Sequence, residues 1–205
     1  MKVVQIAGYL GSGKTTLIIA MSRLIAGAGK KVAILVNDVG AVPVDGKVME
    51  EYGLTVKDIG GGCICCQVAG NMIKTLEALA KGPDPDVVII EPTGIAVPES
   101  IRETVMLTSG KTGATPGPTI VLFDTTRTDK LLTYDTLKRL VTTQIRDADI
   151  VALSKVDVSD SEAVDLAEKA VRDINPEAEI IRLSAVNGEG LRILADRIGE
   201  AVATV

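Results

Sequence analysis

The residues best equipped for chemistry stand near the start of the chain, in the run Gly8-Tyr9-Leu10-Gly11-Ser12-Gly13-Lys14-Thr15-Thr16. The run fits G-x-x-x-x-G-K-[ST] without a mismatch. Glycine lets a backbone curl tightly enough for its N–H groups to point inward at an anion. In such a loop Gly8, Gly11, Ser12, Gly13 and Thr16 wrap the phosphates, Lys14 reaches the β- and γ-phosphates, and the Thr15 hydroxyl ligates Mg²⁺. A helix opening there adds the positive end of its dipole. The competing reading is an ordinary glycine-rich turn. An apolar strand before the run and an apolar-periodic segment after it favour the phosphate loop.

A second cluster holds every cysteine of the chain, at Cys63, Cys65 and Cys66, behind Gly60-Gly61-Gly62. Cysteine is often a small buried hydrophobe, but that explains poorly why all three crowd together after a glycine run. In an extended segment Cys63 and Cys65 share one side, and a local turn brings Cys66 round to the same centre. Thiolates select soft or borderline ions such as Zn²⁺, Cu(I) and Co²⁺. Three thiolates leave one tetrahedral position open, which suits transfer better than permanent binding. The chain contains no His, so the fourth ligand is expected to be water, Asp38, a client or a second protomer. A structural or redox role is the alternative.

Ser154-Lys155-Val156-Asp157 resembles the guanine-reading N-K-x-D element of GTPases, with Ser154 in place of the usual Asn. The Asp157 carboxylate would accept from both N1–H and the N2 amino group of guanine, a pair that adenine lacks. The stem of Lys155 would lie along the base. Further on, Ser184-Ala185-Val186-Asn187-Gly188 resembles the second guanine loop, whose backbone contacts the base.

Several further pieces narrow the resemblance. Asn37-Asp38-Val39-Gly40 takes the place of an N-E-F-G element, Gly61-Gly62-Cys63-Ile64-Cys65-Cys66 carries C-x-C-C, and Glu91-Pro92-Thr93-Gly94 gives E-x-x-G with Pro98 following. Gln144-Ile145 and Ala148-Asp149 precede the guanine strand. Together these look like the CobW-like metallochaperone GTPases, relatives of UreG and HypB, over residues 2 to about 198. The resemblance implies a P-loop GTPase that binds GTP/GDP with Mg²⁺, carries a transition metal such as Zn²⁺ or Co²⁺, and couples its transfer to hydrolysis. It implies Glu91 near Mg²⁺ through water, Gly94 among the nucleotide-binding residues, and Asp38 on a segment that senses the γ-phosphate. Lys14, Asp38 and Glu91 are thus the expected catalytic group. A client metalloenzyme or corrinoid protein and a nucleotide-dependent homodimer are the implied partners. Longer members of the family continue into a second domain, often with a His-rich stretch; this sequence ends at Val205. Two other functions compete. One is a metal-independent GTP switch that activates such a client, and the other is a small-molecule kinase on the same loop.

Positioning these groups requires a rigid frame. With 205 residues, 46% hydrophobic and only 2% aromatic, the chain suits one domain cored by Val, Ile, Leu and Ala. Short apolar runs at residues 2–7, 31–36, 87–91, 119–124, 149–154 and 179–184 read as strands. Helical patterns at 14–26, 67–79, 98–107, 131–146, 161–174 and 190–202 alternate with them. This rhythm predicts an α/β fold with a mostly parallel sheet and helices on both faces. Residues 110–118, rich in Gly and Pro, read as an irregular loop. A net charge of −5 without basic blocks argues against nucleic acid. The absence of a membrane-length apolar run or a signal peptide points to a cytoplasmic protein.

Overall fold

A strand that sits between two helix layers must be apolar on both sides, because its side chains alternate between faces. The strands here obey that demand. In a computed structural model that describes residues 1–36, 55–58, 67–92, 94 and 98–203, seven strands form one sheet. They are β1 (Lys2–Gly8), β2 (Val32–Val36), β3 (Thr55–Asp58), β4 (Val87–Glu91), β5 (Thr115–Asp124), β6 (Ile150–Ser154) and β7 (Glu179–Leu183). Their order is β3-β2-β4-β1-β5-β6-β7, and every ladder is parallel. The helices are α1 (Lys14–Gly27), α2 (Gln67–Lys81), α3 (Glu99–Thr112), α4 (Thr128–Thr133), α5 (Asp135–Arg146), α6 (Ser161–Ile174) and α7 (Leu191–Ala203).

The two faces bury different halves of each strand. Val4, Ile6, Ile34, Ile89, Ile120 and Ala152 pack against Leu17, Ile18 and Met21 of α1 and Leu194 and Ile198 of α7. Their alternating neighbours face the other way. Val3, Leu35, Val88 and Ile90 meet Leu76 and Leu79 of α2 and Val105 of α3. Val121, Phe123, Val151 and Leu153 meet Val141, Ile145, Val164 and Val171 of α5 and α6. With both faces covered, the catalytic parts can lie only at the strand ends. β1 is central, and its carboxyl end lies between β4 and β5 where the order of the strands reverses, the position at which such sheets bind ligands.

Three expectations need correction. Residues 110–118 are regular over most of their length: α3 continues to Thr112, Gly113 (φ +64) ends it, and β5 already begins at Thr115. Pro116 and Pro118 lie where the ladder to β1 shifts register between Val3 and Gln5. Proline has no N–H for a regular ladder and is tolerated at such an irregularity. Gly117 is required by close approach, since a Cβ there would lie 2.9 Å from Val4 Cγ2. The helix expected over 131–146 is two helices, broken at Tyr134, whose backbone is extended (φ −77, ψ 118). The edge strand β3 was not expected. No helix among the described residues is long and apolar enough to cross a membrane.

One carboxylate of the frame sits unfavourably. Asp147 follows the last turn of α5, at the negative end of the helix dipole. Burial and the neighbouring Glu99 charge raise its pKa, only partly offset by Arg102 and by an N–H donated from Glu99. A raised carboxyl binds its proton more tightly folded than unfolded, so stability falls as pH rises from the unfolded value through the folded one. Asp147→Asn keeps an acceptor and removes the charge. It should raise the melting temperature at pH 7 by about 1–2 °C, a size limited by solvent screening. The gain should vanish below about pH 4, where the wild-type carboxyl is protonated.

Candidate functional site

The run from Gly8 to Thr16 leaves the carboxyl end of β1 and enters α1. Gly8, Gly11 and Gly13 all have positive φ (+140, +74 and +96). At Gly8 a Cβ would lie 2.7 Å from the Leu122 carbonyl, so only glycine allows the strand end to turn against β5. α1 opens on Gly13 with no side-chain cap and no acidic residue in its first turn. Its leading N–H groups are left for an anion. Ser12 is buried, and its hydroxyl has no hydrogen-bond partner among the described residues. A buried hydroxyl without a partner is costly, and phosphate oxygens would satisfy it. Lys14 is also buried and donates from Nζ to the Gly8 carbonyl at 3.1 Å, so the side chain folds across the loop it serves.

The Thr15 hydroxyl donates to Glu91 Oε1 at 2.9 Å. Glu91 ends β4, the neighbour of β1, and is buried. The two groups expected at Mg²⁺ are therefore in contact. A hydroxyl and a carboxylate are hard oxygen donors, the set Mg²⁺ prefers, so these residues fit that ion. Gly94 packs on the loop apex, where a Cβ would lie 2.9 Å from Leu10 Cδ2 and 3.0 Å from Leu10 N. Its carbonyl accepts from buried Gln144 Nε2 at 3.2 Å. Asp38, Cys63, Cys65 and Cys66 lie outside the described residues.

Beside the loop is a cavity of about 270 Å³, lined by Ser12, Gly13 and Thr16, by Ser154, Lys155 and Asp157, and by Ala185 and Val186. Small-molecule sites run from about 300 Å³ upward, so the volume suits a base rather than a whole nucleotide. Three lining residues were missed in the sequence. Leu122 and Leu183 supply an apolar wall from β5 and β7, and Val158 stands at the rim. Val158 and Val186 are 69% and 82% exposed, an apolar pair that a flat base would cover. Ser184 does not line the cavity: it is buried and shapes the turn, its hydroxyl accepting from the N–H groups of Val186 (3.3 Å) and Asn187 (3.2 Å). Ser154 is buried too, its hydroxyl donating to the Phe123 carbonyl at 3.3 Å. Lys155 takes a left-handed backbone (φ +64), uncommon for any residue but glycine.

A further carboxylate without an expected role lies under Lys155. Asp124 ends β5 fully buried, 2.7 Å from Lys155 Nζ and 2.7 Å from Arg127 Nε. Burial alone would raise its pKa. Hydrogen bonds from Lys155 and Thr126 and the charges of Arg127 and Lys155 outweigh that and hold it below the usual carboxylate value. Its only signal in the sequence was a charged residue closing an apolar run.

A parallel sheet with a phosphate loop at the end of its central strand, a hydroxyl–carboxylate pair beside it and a base-sized cavity define a P-loop nucleotide-binding domain. The family model described as CobW/HypB/UreG, nucleotide-binding domain, matches residues 2–182, and the chain belongs to that family. It is 32% identical over 187 residues to the zinc-regulated GTPase metalloprotein activator 1 of Schizosaccharomyces pombe, covering 87% of this chain and 44% of that protein. Among solved structures, the Zn(II)-bound YjiA GTPase from E. coli superposes with a TM-score of 0.66 at 26% identity, over 89% of this chain and 57% of that one. The hydrogenase maturation factor HypB from Archaeoglobus fulgidus shares the fold, with a TM-score of 0.72 at 24% identity over 98% of this chain and 90% of that one. The chain spans less than half the length of the first curated relatives it matches.

Proposed function

We propose that this chain is a GTP-hydrolysing metallochaperone module, which binds a transition metal through Cys63, Cys65 and Cys66 and couples its transfer to hydrolysis. The observation that carries the nucleotide half is the one cavity that Ser12, Gly13 and Thr16 share with Asp157 and Val186. Phosphate loop and base reader are one site. In this reading Lys14 neutralises the β/γ-phosphate charge, and the backbone from Gly8 to Thr16 fixes the phosphates in line for attack. Thr15 and, through water, Glu91 would hold Mg²⁺, whose charge would offset that developing on the phosphates. Gly94 and Asp38 report whether a γ-phosphate is present. With neither a Gln nor a His standing out as a dedicated water-orienting residue, intrinsic turnover is slow, and a client or a nucleotide-dependent second copy completes the site.

The metal half rests on the sequence of the C-x-C-C segment and on family membership. Relatives named zinc chaperones favour Zn²⁺ as the cargo over Co²⁺. The relatives named metalloprotein activators point to a metalloenzyme as the client. Metal titration with GDP and with a non-hydrolysable GTP analogue tests the coupling. Linkage is reciprocal, so an affinity for Zn²⁺ about tenfold higher in the GTP-analogue state must be matched by an equal preference of the metal form for GTP. Cys65→Ser/Cys66→Ser should abolish thiolate charge-transfer absorption with Co²⁺ as a probe. Equal metal affinity in both nucleotide states would refute the coupling. Absence of cysteine-dependent binding in either state would leave a metal-independent switch.

A further inference from the structure

Asp124 accepts bonds on both oxygens. Oδ1 takes the Thr126 N–H (3.0 Å) and hydroxyl (2.6 Å), and Oδ2 takes Lys155 Nζ and Arg127 Nε, each at 2.7 Å. From that anchor Arg127 reaches out and donates from Nη2 to the Leu10 carbonyl at 2.9 Å. Leu10 is at the apex of the phosphate loop, and the guanidinium nitrogens lie 3.5–3.6 Å from where a Cβ of Gly11 would be. On the opposite side the turn after Asp124 grips the base reader. Thr125 Oγ1 donates to the Ser154 carbonyl at 2.9 Å and lies 2.7 Å from Ser159 Oγ, which donates to the Lys155 carbonyl at 3.2 Å. Lys155 is thus held at its ammonium and at its backbone, in a conformation that persists only where its surroundings impose it. Neither Asp124 nor Arg127 lines the base cavity.

We propose that Asp124 is a positioning residue of the nucleotide site. Through Lys155 it fixes the base-reading turn, through Arg127 it fixes the apex of the phosphate loop, and so it sets the distance between the two ends of a guanine nucleotide. The proposal rests on the guanine reading of the cavity given above. The two ties have separable signatures. Loosening Lys155 degrades discrimination between bases, whereas loosening Leu10 weakens the grip on phosphate whatever the base. Only the shared carboxylate affects both.

The test measures binding of GDP, ADP and inorganic tripolyphosphate to the full chain, with folding followed by circular dichroism. Lys155→Met should lower the GDP/ADP affinity ratio and leave tripolyphosphate binding within about twofold. Arg127→Lys keeps the charge but loses the planar fork that spans Asp124 and Leu10. It should weaken GDP, ADP and tripolyphosphate alike, by several-fold, with the ratio unchanged. Asp124→Asn should show both losses, each about tenfold or more, because the hydrogen bonds broken are charge-assisted. Adding Lys155→Met to Asp124→Asn should then cost no further base discrimination, the non-additivity of groups acting as one unit. If Asp124→Asn does not fold, the Lys155 and Arg127 variants decide the matter, since both side chains are part-exposed. An unchanged GDP/ADP ratio in Lys155→Met, or unchanged tripolyphosphate binding in Arg127→Lys, overturns the clamp while leaving the GTPase reading in place. A wild type that binds ADP as well as GDP overturns both.

Discussion

Lys14→Ala should abolish GTP hydrolysis and erase the effect of nucleotide on thermal stability. The ammonium is a fixed positive charge in the first turn of α1. Removing a preorganised group of this kind from a developing anion costs roughly 10²–10³ in rate, and the loss is greater where the group also holds the ground-state phosphates. The structure adds a second consequence. Lys14 Nζ ties to the Gly8 carbonyl, so the variant also loosens the loop before any ligand arrives. Ligand-free stability should therefore fall slightly, while the sheet and its three buried clusters persist. Wild type with GDP at a hundredfold excess over Kd gains about 2.7 kcal/mol, or some 5–10 °C in melting temperature at this size. Lys14→Ala should gain less than about 1 °C under the same conditions. Near-normal turnover in a folded Lys14→Ala protein would sink the phosphate-loop assignment.

The difference between what the sequence announces and what it conceals is physical. The phosphate loop is contiguous, and its glycines are required by positive φ and by the approach of Leu122, so one short run carries the whole signal. The strands are legible because both faces are buried, which makes them continuous apolar runs. β3 hides because it is a four-residue edge strand, Thr-Val-Lys-Asp, with two charges. Thr115–Pro118 hides because Gly and Pro chemistry reads as a turn, whereas here it serves a register shift. The break at Tyr134 leaves no mark, since buried Leu131 and Ile145 are spaced at about four helical turns, as in one unbroken helix.

The candidate site divides the same way. Asp157 and Val186 announce themselves by local motif, but the apolar wall they share with Leu122 and Leu183 exists only once β5, β6 and β7 are side by side. Asp124 is the clearest case. Its bond to Lys155 spans 31 residues and its tie to Leu10 passes through Arg127, so no window of sequence contains the unit. A charged residue closing a buried strand is an ambiguous sign until its partners are placed around it.

Asp157→Asn should exchange guanine for xanthine as the preferred base. Asp157 lies in the short 3₁₀ turn Val156–Val158 at the edge of the cavity, beyond the strained Lys155. Its carboxylate has no hydrogen-bond partner among the described residues and faces a pocket whose other walls are largely apolar. Two acceptors match the N1–H and N2 amino donors of guanine. They would instead meet the N1 lone pair of adenine, an acceptor against an acceptor. A site built on such matched hydrogen bonds rejects the mismatched base strongly, because its own polar atoms are left unpaired. An amide keeps one acceptor for N1–H and presents one donor, which clashes with the N2 amino group but suits the C2 carbonyl of xanthine. GTP affinity should fall by about ten- to a hundredfold, from charge-assisted hydrogen bonds of roughly 1.5–3 kcal/mol, and affinity for xanthosine triphosphate should rise. The carboxylate is exposed in the free protein, so folding stability should stay within about 0.5 kcal/mol. Inosine triphosphate, which lacks the N2 amino group, gives the intermediate case, binding wild type more weakly than GTP and losing less on the substitution. Competition titrations of the four nucleotides against a fluorescent GDP measure all of this. Equal binding of ATP and GTP by wild type, or unchanged GTP binding by Asp157→Asn, would show that the base is read elsewhere.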